Sequence, residues 1–158
     1  MKRNRRTRIL VEGNPTLARN ICVHIRELCD VRVICEPRVV LVMNKVRESA
    51  HNSLFYLGEA LMTECRVNVS PVNVSPVKDS FEESVTGIGL ILGEHRERAF
   101  DLAVIDAAFS LPTPLSAHAQ WLALLKQEEL RLERLKEQRR AELEATRVEF
   151  TSMVAEED

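Results

Sequence analysis

From Leu54 to Val69 the side chains alternate, with Leu61, Thr63, Cys65, Val67 and Val69 on one side and Met62, Glu64, Arg66 and Asn68 on the other. Successive residues of a strand point to opposite faces, so this run predicts a strand with one face covered and the other wet. It restricts the chain to folds in which a mostly antiparallel sheet is covered on one side.

The remaining segments supply the cover. Asn14 can accept first-turn amides and Pro15 fits the first helical position. Leu17, Ile21, Ile25 and Leu28 recur at helical spacing, which predicts a helix from about 15 to 29. Val31 to Cys35 and Arg38 to Met43 predict two strands tightly joined past Pro37, and Gly87 to Gly93 predicts a buried strand. Glu94 to Phe109 predicts a helix apolar on nearly every side, and so a core helix. Pro112 and Pro114 end it, and Leu115 opens a long helix toward residue 150. Its apolar stripe, Trp121, Leu125, Leu132, Leu135 and Leu143, is narrow. Glu128 with Arg131, Glu133 with Lys136, and Glu137 with Arg140 are spaced for supporting pairs.

Asn-Val-Ser-Pro-Val occurs twice, at 68–72 and 73–77. Two prolines five apart cannot sit in a central ladder, so about 70–83 is expected to be an exposed loop. The predicted class is α+β: a small, mostly antiparallel sheet of about four strands, helices on one face, and a long charged C-terminal helix. Residues 1–113 form the expected core domain, and 114–158 a helix and tail of the same structural unit.

With 158 residues, 45% hydrophobic and 29% charged, the chain has enough apolar material for one core. Lys2, Arg3, Arg5, Arg6 and Arg8 crowd the start, where a solvated terminus or short helix is expected. Ile9-Leu10-Val11 is too short for the apolar segment of a signal peptide, and no window reaches membrane-spanning length. A cytoplasmic, non-membrane protein is expected. Cys22, Cys29, Cys35 and Cys65 form no Cys-x-x-Cys pair and have no histidine at zinc-ligand spacing. They are expected to be small buried hydrophobes, with no metal and no cofactor.

No constellation for nucleophilic catalysis surrounds His24, His51, His95 or His118, so no catalytic residue is assigned. The candidate anion contact is Gly93 with Arg96 and Arg98, where a strand turns into a helix carrying two guanidiniums. It lacks a Walker ending or a full Gly-x-Gly-x-x-Gly, and Glu94 would oppose an anion there. Asp101 and Asp106 on the core helix require partners, with Asp106 a candidate acid or, in preference, a capping group or one paired to a neighbouring chain. Glu59 and Glu64, with Arg47-Glu48 at the end of another strand, are candidates for a polar rim. Beyond the polar stretch of the long helix, Arg147, Phe150, Met153 and Val154 form a candidate subunit interface.

Three ordered segments carry a family likeness. They are Phe55-Tyr56-Leu57-Gly58-Glu59-Ala60-Leu61-Met62-Thr63-Glu64; Leu92-Gly93 with Arg98-Ala99 and Ala103-Val104-Ile105-Asp106-Ala107; and Arg147-Val148-Glu149-Phe150-Thr151-Ser152-Met153-Val154. Together the sequence resembles the G subunit of the phosphonate carbon-phosphorus lyase system, PhnG, from about Arg5 to Val154. The duplicated Asn-Val-Ser-Pro-Val segment lengthens a turn that is usually short, and Ile88, Leu90 or Ile91 replaces a frequent aromatic.

The resemblance implies a core complex with the H, I and J subunits. That complex transfers the ribose triphosphate of ATP onto a phosphonate, releasing adenine and forming α-D-ribose 1-methylphosphonate 5-triphosphate. It assigns catalysis to the I subunit, and radical cleavage to the J subunit with its iron-sulfur cluster and S-adenosylmethionine. This chain would be an accessory subunit. The alternative is an adaptor or nucleic-acid-binding module using the basic start and the charged helix. Between Lys126 and Arg147, however, seven basic residues are offset by six acidic ones, so no nucleic-acid partner is expected.

Overall fold

The computed structural model describes residues 1–72 and 84–146. The elements run α1 (Arg3–Glu12), α2 (Pro15–Leu28), β1 (Cys29–Arg47), β2 (Leu54–Pro71), β3 (Val85–Leu92), α3 (Arg96–Ala108) and α4 (His118–Ala145). The strands form one antiparallel sheet in the order β1-β2-β3. The class is α+β as expected, with three strands in place of about four.

The missing strand boundary lies at Pro37. The two expected strands are one, because the Glu36-Pro37 step is absorbed between register shifts at Val33/Cys35 and Cys35/Arg38. β1 is an edge strand, and a proline at a bulge there removes no ladder bond. Ser70 and Pro71, assigned to the loop from sequence, instead close β2 opposite Asp30 and Cys29. The rest of that loop, 73–83, lies outside the described residues.

α2 starts as its sequence requires: the Asn14 side chain accepts from the Thr16 amide at 3.0 Å, and Pro15 follows. α3 lies on β3 and β2, flanked by α2. β3 departs from the buried strand expected of it. Gly87 and Gly89 are covered, while Ile88, Leu90 and Leu92 face out. A Cβ on Gly89 would stand 1.8 Å from the Ala99 carbonyl oxygen, and one on Gly87 would stand 2.1 Å from that of Ala103. The helix backbone therefore rests directly on the glycine face, and alanines 99, 103 and 107 complete the seam.

Beneath α3 the odd-numbered side chains Thr63, Cys65, Val67 and Val69 are fully buried. Cys22, Cys29 and Cys65 are buried free thiols and Cys35 is half-buried. Burial raises the thiol of Cys65 to about 11 and also raises those of Cys22 and Cys29, so all three stay protonated.

α4 is docked along its first half, where Trp121 and Leu125 enter the core and the Trp121 indole donates to His24 Nδ1 at 3.3 Å. Farther on, Leu143 is exposed. Arg131 pairs with Glu128 as expected, but Lys136 reaches Glu12 of α1 and Arg140 pairs with Glu144. The expected Glu133-Lys136 and Glu137-Arg140 pairs are replaced, because α1 offers Lys136 a carboxylate and Glu144 lies one turn beyond Arg140.

Candidate functional site

The turn between β3 and α3 holds the candidate anion contact. Gly93 has a positive φ of 84°, which favours glycine. Its amide donates to the Leu61 carbonyl at 2.8 Å, and its carbonyl accepts from Thr63 Oγ1 at 2.6 Å. The same hydroxyl accepts from the His95 amide at 3.0 Å. A buried threonine thus fastens the turn to β2.

Arg96 reaches the Pro37 carbonyl and Glu94, each at 3.4 Å, and stays exposed. Arg98 donates to the carbonyls of Val11 at 2.9 Å and Leu10 at 3.4 Å, where it caps the C-terminus of α1. The fold therefore keeps Gly93 and Arg96 at the turn and directs Arg98 to α1.

The basic start is a helix whose arginines pair with carboxylates of the same chain. Asp106 accepts from Arg3 Nε at 2.8 Å, from Arg6 at 2.9 Å and from the Ile88 amide at 3.2 Å. Its partners belong to its own chain, because α1 lies across α3. Arg6 is itself buried, with its guanidinium over the Phe109 ring at 4.7 Å. Arg5 pairs with Glu129 at 2.6 Å and holds that carboxyl below its usual range by hydrogen bonding and charge. Arg19 holds Asp101 at 3.2 Å. These pairs fasten the helices to one another.

His118 packs on Phe109 with ring centroids 4.7 Å apart, and its Nδ1 is buried without a hydrogen-bond partner. Burial, the chain's first amino group and Arg6 together lower its pKa. Glu64, on the open face, lies between Arg66 at 2.6 Å and Arg38 at 3.4 Å. Burial raises its pKa, but the two arginines outweigh that and leave it below the ordinary value. Glu59 lies opposite Met43 and is exposed. Among the described residues no group of His, Cys, Asp or Glu could hold a metal ion, and no helix is long and apolar enough to cross a membrane.

The most distinctive surface went unrecognised in the sequence. β3 pairs with β2 only between Met62 and Val69, so β1 and β2 continue beyond it as a two-stranded arm. On this arm Leu41, Met43, Leu54, Tyr56, Leu57 and Leu61 are exposed. The available signal was the Phe55-Tyr56-Leu57 run, too apolar for the free end of a hairpin. The candidate interface residues Arg147, Phe150, Met153 and Val154 lie outside the described residues.

Large exposed apolar patches mark surfaces that other molecules cover. The α+β domain buries a few paired charges, Arg6, Asp101, Asp106 and Glu129, and leaves part of its sheet surface uncovered. The family that matches is described as phosphonate metabolism protein PhnG, over residues 1–155, and the chain belongs to it. This places the protein in phosphonate metabolism, as a component of the multi-subunit carbon-phosphorus lyase complex. No individually curated protein matches the chain.

Proposed function

We propose that this chain is a cytoplasmic accessory subunit of the carbon-phosphorus lyase core complex, assembled with the H, I and J subunits. It supports transfer of ribose triphosphate from ATP to an alkylphosphonate and does not catalyse that step alone. The observation that carries this reading is the family match across residues 1–155, joined to an apolar sheet surface left open on a folded domain.

The nucleic-acid reading loses its main support. Arg3 and Arg6 are committed to Asp106 and Arg5 to Glu129, and Lys136 is committed to Glu12. Arg6 is buried, and the other three, though more than half exposed, are each already paired with a carboxylate, which weakens a phosphate-tracking surface. Within the complex, the Gly93 turn with Arg96 is proposed as a contact for an anionic group, Arg98 being occupied by the α1 carbonyls. Arg147, Phe150, Met153 and Val154 are proposed as a further subunit contact.

The test is co-expression with tagged H, I and J subunits, followed by assay of adenine release from ATP and methylphosphonate. The full assembly should turn over, the isolated chain should be inert, and omission of the chain should abolish or strongly reduce turnover. Adenine release by the chain alone, or full activity without it, would overturn the reading.

A further inference from the structure

β3 ends the sheet, and it pairs with β2 from Val69↔Val85 to Met62↔Leu92 without a register shift. In an antiparallel pair, residues that exchange bonds with the neighbouring strand alternate with residues whose amide and carbonyl point away from it. The Gly93 amide donates to Leu61, so Gly93 is of the first kind. Thr86, Ile88, Leu90 and Leu92 are then of the second, with their backbone groups directed to the free edge. Val85 to Leu92 contains no charged residue and no proline, and Ile88, Leu90 and Leu92 are exposed. A regular, uncharged, apolar edge is a template for another strand. The opposite edge, on β1, is interrupted by the Glu36-Pro37 step between two register shifts.

A carboxylate meets the edge of β3. Asp106 Oδ2 accepts from the Ile88 amide at 3.2 Å, and Oδ1 accepts from Arg3 Nε at 2.8 Å and from Arg6 at 2.9 Å. Asp106 and Arg6 are buried, and Arg3 lies outside them with most of its side chain open. Among the described residues no group caps the edge amides of Thr86, Leu90 or Leu92. An ion pair that only fastened α1 to α3 would have no need of Ile88, a backbone donor on a different element. Its third contact places a negative charge where a strand laid on this edge would have to bring a carbonyl oxygen.

We propose that Asp106, held by Arg3 and Arg6, guards the edge of β3 and closes it to strand addition by a second copy of this chain. Two copies of β3 laid antiparallel present the same edge to each other, so the contact is self-complementary and the sheet would run on through both. To form it, the Ile88 amide must leave Asp106 for a carbonyl of the second copy. The carboxylate then loses a donor and stays buried beside an oxygen that repels it. This penalty falls near the middle of an eight-residue strand, where a register that avoids Ile88 keeps few ladder bonds. The guard is independent of the assembly reading above.

The test follows the mass of the full-length chain in solution by light scattering. Asp106→Ala should shift the chain to dimers or larger species. Adding Ile88→Pro, which takes away the edge N–H, should return the mass to that of the wild type. Self-association that persists in the double variant would come from unfolding or from another surface, and would overturn the proposal. An Asp106→Ala chain with the wild-type mass would do the same. If Ile88→Pro alone lowers the mass of the wild type, the edge is already paired and nothing guards it. Where Asp106→Ala does not fold, amide hydrogen exchange in the wild type decides. Ile88 should exchange roughly a hundredfold or more slowly than Leu90 and Leu92, and equal rates at the three amides would mean that no guard holds the edge.

Discussion

The two halves of β2 have the same texture and opposite fates. Thr63, Cys65, Val67 and Val69 lose essentially all contact with solvent, whereas Leu54, Tyr56, Leu57 and Leu61, larger and as apolar, remain exposed. Strand alternation determines which side chains share a face. Whether that face is covered depends on a helix far away in sequence. α3 can lie on the C-terminal half because Gly87 and Gly89 offer it backbone to rest on, and it begins at Thr63 because the Gly93 turn is fastened there. The arm extends beyond the reach of any described helix.

The comparison breaks most severely at the glycine seam. Gly89→Val would place side-chain atoms where the Ala99 carbonyl now lies, so thermal denaturation should show a loss of about 3 kcal/mol or more, or failure to fold. Gly58→Ala on the arm meets nothing within 4 Å and should cost only about 1 kcal/mol, for its positive φ. Next in size is Asp106→Ala, which leaves the buried Arg6 without its carboxylate. Urea unfolding should register a loss of about 3 kcal/mol, and a similar loss is not expected for Glu59→Ala on the arm.

Matched truncations across the two halves should then separate clearly. Val67→Ala should cost about 2 kcal/mol through the lost transfer energy and the cavity left behind. Leu41→Ala should cost under about 0.5 kcal/mol in the free chain. Equal losses at the two sites would mean that the arm is packed in solution and that the contrast is wrong.

The smallest effect is in pH dependence. His118 has a lowered pKa when folded, so the unfolded chain binds its proton more readily, and stability is complete above the ordinary value of 6.5 and declines as pH falls below it. Glu129 is also lowered, through Arg5, and its contribution is present above the ordinary carboxylate value of 4.5 and lost as pH falls through the folded value. Melting temperature measured against pH should show two successive declines, and His118→Phe should remove only the upper one.

The long strand at 54–69, the start of α2 at Asn14-Pro15, the burial of α3 and the fate of three cysteines were legible in the sequence, because each follows from local periodicity or from a single cap. The likeness to the PhnG family was legible too, in motifs spread along the chain. Only the tertiary structure decided that Pro37 bends one strand without dividing it, since that depends on β2 running alongside. It also decided that Ile88, Leu90 and Leu92 face outward, since that depends on how closely a helix approaches two glycines. The basic residues of α1 gave no sequence signal of their partners, which lie about a hundred residues away along the chain at Asp106 and Glu129. Periodicity reports the face a residue belongs to, whereas what meets that face is a property of contacts distant in sequence, and so the exposed arm emerged only from the folded chain.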